Sequence, residues 1–205
     1  VVGSLNRQGE LFFHRTDLEC DANAKFYRDF QYLVRQGEKQ AYLMGGTPLA
    51  CNAPIRAFAF IAESEFFIAG LEDGRIVLFH QPSLHSALSL AVSERASVCT
   101  STAAVRCLAA AGKKVAVGHE DGTLAVFGVC PKGSLTPFCE PFQHKRAVTQ
   151  VSLSEDGSKV ALGDESGSFC VIELNSLRTV HDHMSSAITA LHLTPDGKQL
   201  IVGTK

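Results

Sequence analysis

Apolar residues in this chain come in runs of four to six, rich in Val, Ile and Phe, parted by short polar breaks that carry Gly or Asp-Gly. Runs of that length and composition predict strands rather than helices. Asp-Gly between two of them marks a hairpin, because Gly takes positive φ without steric cost and Asp tolerates it better than most residues. The pattern recurs. IRAFAF at 55–60, a break at Glu63-Ser64-Glu65 and FFIA at 66–69 lead to GLEDGRIVLF, which starts at Gly70. VRCL at 105–108, a break at Ala111-Gly112 and VAV at 115–117 lead to GHEDGTLAVF, which starts at Gly118. VTQVSL at 148–153, a break at Glu155-Asp156-Gly157 and VAL at 160–162 lead to GDESGSFCVI from Gly163. ITALHL at 188–193, a break at Pro195-Asp196-Gly197 and LIV at 200–202 reach Gly203. The starting residues Ile55, Val105, Val148 and Ile188 stand 50, 43 and 40 positions apart.

Each unit reads as three clear strands and a less distinct fourth, for which Leu88, Leu90 and Val92 alternate in the first unit and Phe138 and Phe142 in the second. A period of 40–50 residues with about four antiparallel strands describes a β-propeller blade. The predicted fold is all-β, with three complete blades and two partial ones. Residues 1–52 are read as a partial blade with an insertion, and residues 53–205 as three blades and the first half of a fourth. Both ends of the chain carry the Gly that closes a second strand, so the sequence is expected to be an excerpt of a longer protein. Residues 15–52 break the period. There, residues 29–35 and 40–44 form a hairpin, or Phe26, Phe30, Leu33 and Val34 form a helical stripe. The hairpin is favoured, and the insertion is either a candidate interaction element or a slack outer loop.

The motifs resemble the WD-repeat family. His144, the spaced Val148 and Val151 and the turn Ser154-Glu-Asp156-Gly157 are similar to the first half of a WD repeat, and Thr194-Pro195-Asp196-Gly197 matches the turn more closely. Gly-x-x-Asp-Gly-x-x-x-x-aromatic at 70–79 and 118–127 is similar to the second half. The sequence has no Trp, so Phe79, Phe127 and Ile172 stand where the family carries its namesake. The resemblance implies a hydrogen-bonded set of a loop His, a Ser or Thr, a turn Asp and that Trp. Here His144, Asp73 and Asp121 match single roles and Ser166 replaces the third turn Asp, so the blades are expected to rest more on apolar packing than on buried polar networks.

Composition narrows the partners. At 45% hydrophobic and 20% charged residues the chain has a globular composition, and no 18-residue apolar run exists to span a bilayer. A net charge of −2 gives no global pull towards nucleic acid or a membrane. Seven scattered cysteines, none spaced C-x-x-C, predict reduced thiols in a cytoplasmic or nuclear compartment rather than a disulfide framework or a zinc site.

Catalytic motifs do not assemble. Gly112-Lys113-Lys114 lacks the earlier Gly of a phosphate loop, and GDESG has Glu165 where a nucleophile elbow needs Ser. His181 and His183 flank Asp182, but without a third ligand in nearby sequence they read as loop residues rather than a metal site. No catalytic residue, cofactor or metal is assigned. The resemblance implies that the entry to each first strand and the turn between the second and third strands share one face where partners dock. Carried over by position, that face presents Arg56, Arg106, Lys145 and Arg146 with Leu71, His119 and Asp164. The implied partners are proteins or peptides, acidic or phosphorylated; the competing reading is that Arg56 and Arg106 bridge to the turn acids of their own blades. The expected function is a non-catalytic interaction scaffold or sensor, the alternative being the regulatory propeller of an enzyme or signalling ATPase whose catalytic domain lies elsewhere.

Overall fold

The computed structural model describes residues 2–5, 11–14, 51, 53–62, 64–80 and 93–205. A two-stranded sheet of β1 (Val2–Leu5) and β2 (Leu11–His14) comes first. Three larger sheets follow. The first runs β3 (Ile55–Phe60), β4 (Phe66–Leu71), β5 (Arg75–His80), β6 (Ser93–Cys99). In the second, β7 (Val105–Ala111), β8 (Lys114–His119), β9 (Thr123–Val129) and β10 (Leu135–Pro137) are joined by β11 (Phe142–Gln143), which also pairs with β9. The third runs β12 (Gln150–Leu153), β13 (Lys159–Gly163), β14 (Ser168–Glu173), β15 (Arg178–His183), and β16 (Ile188–Leu193) with β17 (Leu200–Thr204) forms a final pair. All the pairings are antiparallel. Sheet order follows chain order, as in a meander.

First strands β3, β7, β12 and β16 neighbour one another from sheet to sheet, while β15 lies exposed along its whole length. The sheets are therefore stacked face to face as blades, with the first strand on the shared side and the fourth outside. One apolar core fills the seam between the first and second blades, where Ile68, Ile76 and Leu78 meet Val105, Val115, Val117 and Phe127. A second joins Ala116, Leu124 and Val126 to Val148, Val160, Leu162 and Ile172. β8 thus sends Val115 and Val117 to one neighbour and Ala116 to the other, by the two-residue period of a strand. Covered on both faces, the second strands are buried almost end to end.

The repeated glycine has a packing reason. A Cβ on Gly70 would lie 2.3 Å from Cγ1 of Val105, one on Gly118 2.6 Å from Cγ1 of Val148, and one on Gly163 3.0 Å from Cδ1 of Ile188. Each glycine receives the β-branched residue that opens the next blade. The period is set by this contact.

Fourth strands differ from the sequence reading. In the first blade the strand is Ser93–Cys99, and its half-buried Ala96 and Val98 pack inward while polar neighbours face water; Leu88, Leu90 and Val92 lie outside the described residues. In the second blade the strand breaks between β10 and β11, with Phe142 in the strand and Phe138 in the gap. Pro137 and Pro141 bracket that gap, and proline cannot donate to a ladder. The hairpin or helical stripe read in residues 15–50 also lies outside the described residues.

Candidate interaction face

At one end of the blades, the loop entering each first strand crosses over the turn between the second and third strands of the preceding blade. Turn glycines make the crossing possible. Gly74, Gly122 and Gly167 have φ of +82°, +88° and +97°, and a Cβ on them would fall within 2.4 Å of the carbonyl oxygens of Ser101, His144 and Met184, respectively. Both the left-handed backbone and the missing space demand glycine.

Arg56 and Arg106 occupy corresponding places, each as the extra residue of a β-bulge at the start of its first strand. The bulge turns them towards their own blade's turn. Arg56 donates to Glu72 at 2.5 Å and Arg106 to Glu120 at 3.0 Å, both pairs about half exposed. The competing sequence reading, local bridging to turn acids, is thus what the geometry shows for these two. Arg75 is held in the same way by Asp73 at 2.8 Å.

Leu71, His119 and Asp164 do not belong on an open surface, which corrects the expectation drawn from sequence. Their relative exposures are 0%, 0% and 1%. Each directly follows the packing glycine, where the strand is still covered by the crossing loop, and exposure begins one residue later at Glu72, Glu120 and Glu165. His119 Nδ1 donates to the Ala103 carbonyl and Nε2 accepts from the Thr100 hydroxyl, both at 3.0 Å. Beside it the Ser101 hydroxyl donates to Asp121 at 2.7 Å.

Blade three makes the same loop-to-turn link with different groups. His144 Nε2 donates to Oδ2 of Asp164 at 2.8 Å, while Oδ1 accepts from the Ser166 hydroxyl at 2.6 Å and from the backbone N–H groups of Ser166 and Ser168 at 2.8 and 3.1 Å. Burial pushes the Asp164 carboxyl up, but the Ser166 hydroxyl, His144 and the two N–H donors outweigh it and hold the pKa below 3.8. The acid missing from position 166 is therefore supplied from position 164. A buried polar network thus ties loop to turn here, beside the apolar cores that fill the seams.

Lys145 and Arg146 are exposed, and neither makes an ion pair among the described residues. Their loop is nevertheless fixed. His144 N–H donates to Gly122 O at 2.8 Å, Val148 N–H to His119 O at 3.0 Å, and Gln143 Nε2 to Asp121 O at 2.8 Å. Of the four basic residues named from sequence, two are neutralised locally and two are presented on a pinned loop. Thr100 and Gln143 escaped the sequence reading, since nothing in their local pattern distinguishes a link to a turn about twenty residues on. His181 and His183 share one face of the exposed β15, where Nδ1 of His183 lies 3.2 Å from the Ser168 hydroxyl oxygen. Among the described residues no three His, Cys, Asp or Glu side chains converge on a metal-sized space.

Stacked four-stranded antiparallel blades, joined by a glycine contact and a loop-to-turn link at each period, define a β-propeller architecture. The chain resembles WD-repeat propellers with divergent, Trp-free repeats, and residues 174–205 match the WD domain, G-beta repeat. The mouse WD repeat-containing protein 90 is 25% identical over 126 residues, a stretch that is 60% of this chain and 7% of that protein. Solved structures share the fold at low identity. The Cps50 (Swd1) β-propeller domain of Myceliophteria thermophila superposes with a TM-score of 0.61 at 16% identity, over 74% of this chain and 51% of that one. Sqt1 of Chaetomium thermophilum gives 0.64 at 17% over 77% and 48%, and a chain of a Mitotic Checkpoint Complex gives 0.63 at 15% over 77% and 46%. The chain thus spans about half the length of these solved propellers.

Proposed function

We propose that these blades form a non-catalytic protein-interaction surface, a scaffold or sensor that docks a peptide or protein at the loop carrying Lys145 and Arg146. The observation that carries the reading is the contrast between that loop and its equivalents. Elsewhere on the face the cations are held by turn carboxylates, whereas Lys145 and Arg146 have no such partner among the described residues and stand on a backbone already ordered by the preceding turn. A preordered cation loses little freedom on binding, and an Arg fork suits a carboxylate or phosphate. The favoured ligand is an acidic or phosphorylated segment. Sqt1, which shares the fold, is bound in its structure to the N-terminus of the ribosomal protein L10, which supports peptide capture as a use of such blades. Six described cysteines stand as free thiols, in keeping with a cytoplasmic or nuclear setting.

A photo-crosslinking residue placed at Lys145, compared with one at Arg178 on the outer β15, tests the assignment. Crosslinks confined to position 145 are the expected result. Equal labelling at both positions, or labelling at 178 alone, contradicts it.

A further inference from the structure

At the opposite end of the strands the blades are joined by a second periodic contact. Lys114 opens the second strand of its blade and donates to the carbonyl of Gly157 in the next blade at 2.8 Å; Lys159 donates to Gly197 at 2.9 Å in the same way. Both lysine stems also lie over their glycine, at 3.1 and 3.3 Å from where a Cβ would stand. Counting back from the packing glycine of each blade, the lysine is four residues earlier and the acceptor glycine six.

The seam between the first and second blades has the acceptor without the lysine. Gly112 holds the corresponding position, with φ of +54° against +64° and +62° for Gly157 and Gly197. Among the described residues no donor reaches its carbonyl. Where the lysine belongs stands Phe66, whose ring turns aside towards His80, 5.3 Å away between centroids, and towards Gly133. A cavity of about 700 Å³ occupies this seam. Ile61, Phe66, Val129 and Pro131 give it an apolar lining, and Glu65 and Glu155 stand on its rim with Lys113 as the opposing charge. His80 is paired with Glu65 at 3.0 Å.

We propose that this seam is a second binding site, which takes a lysine side chain from a protein partner. The ammonium replaces the missing internal one at the Gly112 carbonyl, near the rim carboxylates, while the methylene stem lies along Phe66 and the apolar lining. The fold itself specifies the ligand chemistry, because two of the three seams that join the sheets from β3 onward already hold a lysine at that place. The site lies away from the Lys145–Arg146 loop and stands or falls independently of it.

Dansylcadaverine, an ammonium on a five-carbon stem, serves as the probe, with the neutral N-pentyl dansylamide as its control, both titrated by fluorescence into the full chain. The ammonium probe is expected to bind at least fivefold more tightly than the neutral one, and Gly-Lys-Gly to displace it where its Nε-acetyl form does not. Phe66→Lys supplies the clasp internally and is expected to weaken the probe at least fivefold. Because Phe66 also packs against Gly133 and His80, Glu155→Lys on the exposed rim provides a second variant, expected to weaken it at least threefold. Equal affinity for the charged and neutral probes overturns the proposal, as does undiminished binding in Glu155→Lys.

Discussion

The His144 imidazole donates to the Asp164 carboxylate at 2.8 Å with the two side chains 9% and 1% exposed, so the loop entering the third blade is bolted to that blade's own turn. Removing the ring leaves a buried carboxylate short of one donor. His144→Ala is expected to lower the unfolding free energy by about 2–3 kcal/mol, and His144→Gln, which keeps a donor, by less. Denaturant titration checks both. Equal stability of wild type and His144→Ala would show that the link is incidental.

Acid should loosen the turns before the cores. The Asp156 carboxyl is lowered to about 2 by the Ser154 hydroxyl and the Ser158 N–H, and Asp164 is also held below 3.8. A carboxyl whose folded pKa is depressed adds stability that is complete above its unfolded value and is lost as pH falls through the folded one. The melting temperature is therefore expected to fall between pH 3.8 and about 2. Asp156→Asn, which cannot take part in that titration, should flatten the lower part of the fall. An unchanged slope in the variant would remove Asp156 from the account.

The packing glycines make a sharper case. Gly118→Ala places a methyl 2.6 Å from both Cγ1 of Val148 and Sγ of Cys107, and 2.9 Å from the Val148 Cβ, which is fixed to its backbone. A loss of about 1–3 kcal/mol is expected. Val148→Ala costs stability by itself through the cavity it leaves, yet the two changes should partly compensate when combined. Simple additivity in the double variant argues against a direct contact.

Exposed pairs should matter little to folding. Glu72 and Glu120 hold Arg56 and Arg106 at the surface, where such pairs contribute about 0–1 kcal/mol. Glu120→Gln is expected to leave the melting temperature nearly unchanged while freeing Arg106 from its carboxylate partner. Thermal melts of the single variant decide this, and a large drop would mean that the pair is structural.

Much of the architecture was legible in the sequence because each blade repeats the same physical needs. Gly118 must admit Val148, and Gly122 must pass under His144, so the two recur four residues apart in each complete blade. The register of the face was less legible. Leu71, His119 and Asp164 sit beside acidic, turn-forming residues and read as a turn tip, but a second strand covered on both faces stays buried one residue past its glycine. Asp164 stands where the other blades carry Leu71 and His119, and Ser166 where they carry Asp73 and Asp121, which hid the third blade's network from a motif read position by position. Fourth strands were hardest to place, since one wet face relaxes their pattern, as the polar Ser93–Cys99 shows.

The most direct test of the interaction surface is partner binding by a Lys145→Glu, Arg146→Glu double variant, measured beside an Arg178→Glu control with circular dichroism confirming both folds. Cations at the centre of an interface contribute about 2 kcal/mol or more when lost, so a drop in affinity of at least about tenfold is expected for the loop variant and none for the control. Retained affinity in the folded loop variant, or an equal loss in Arg178→Glu, would contradict the account.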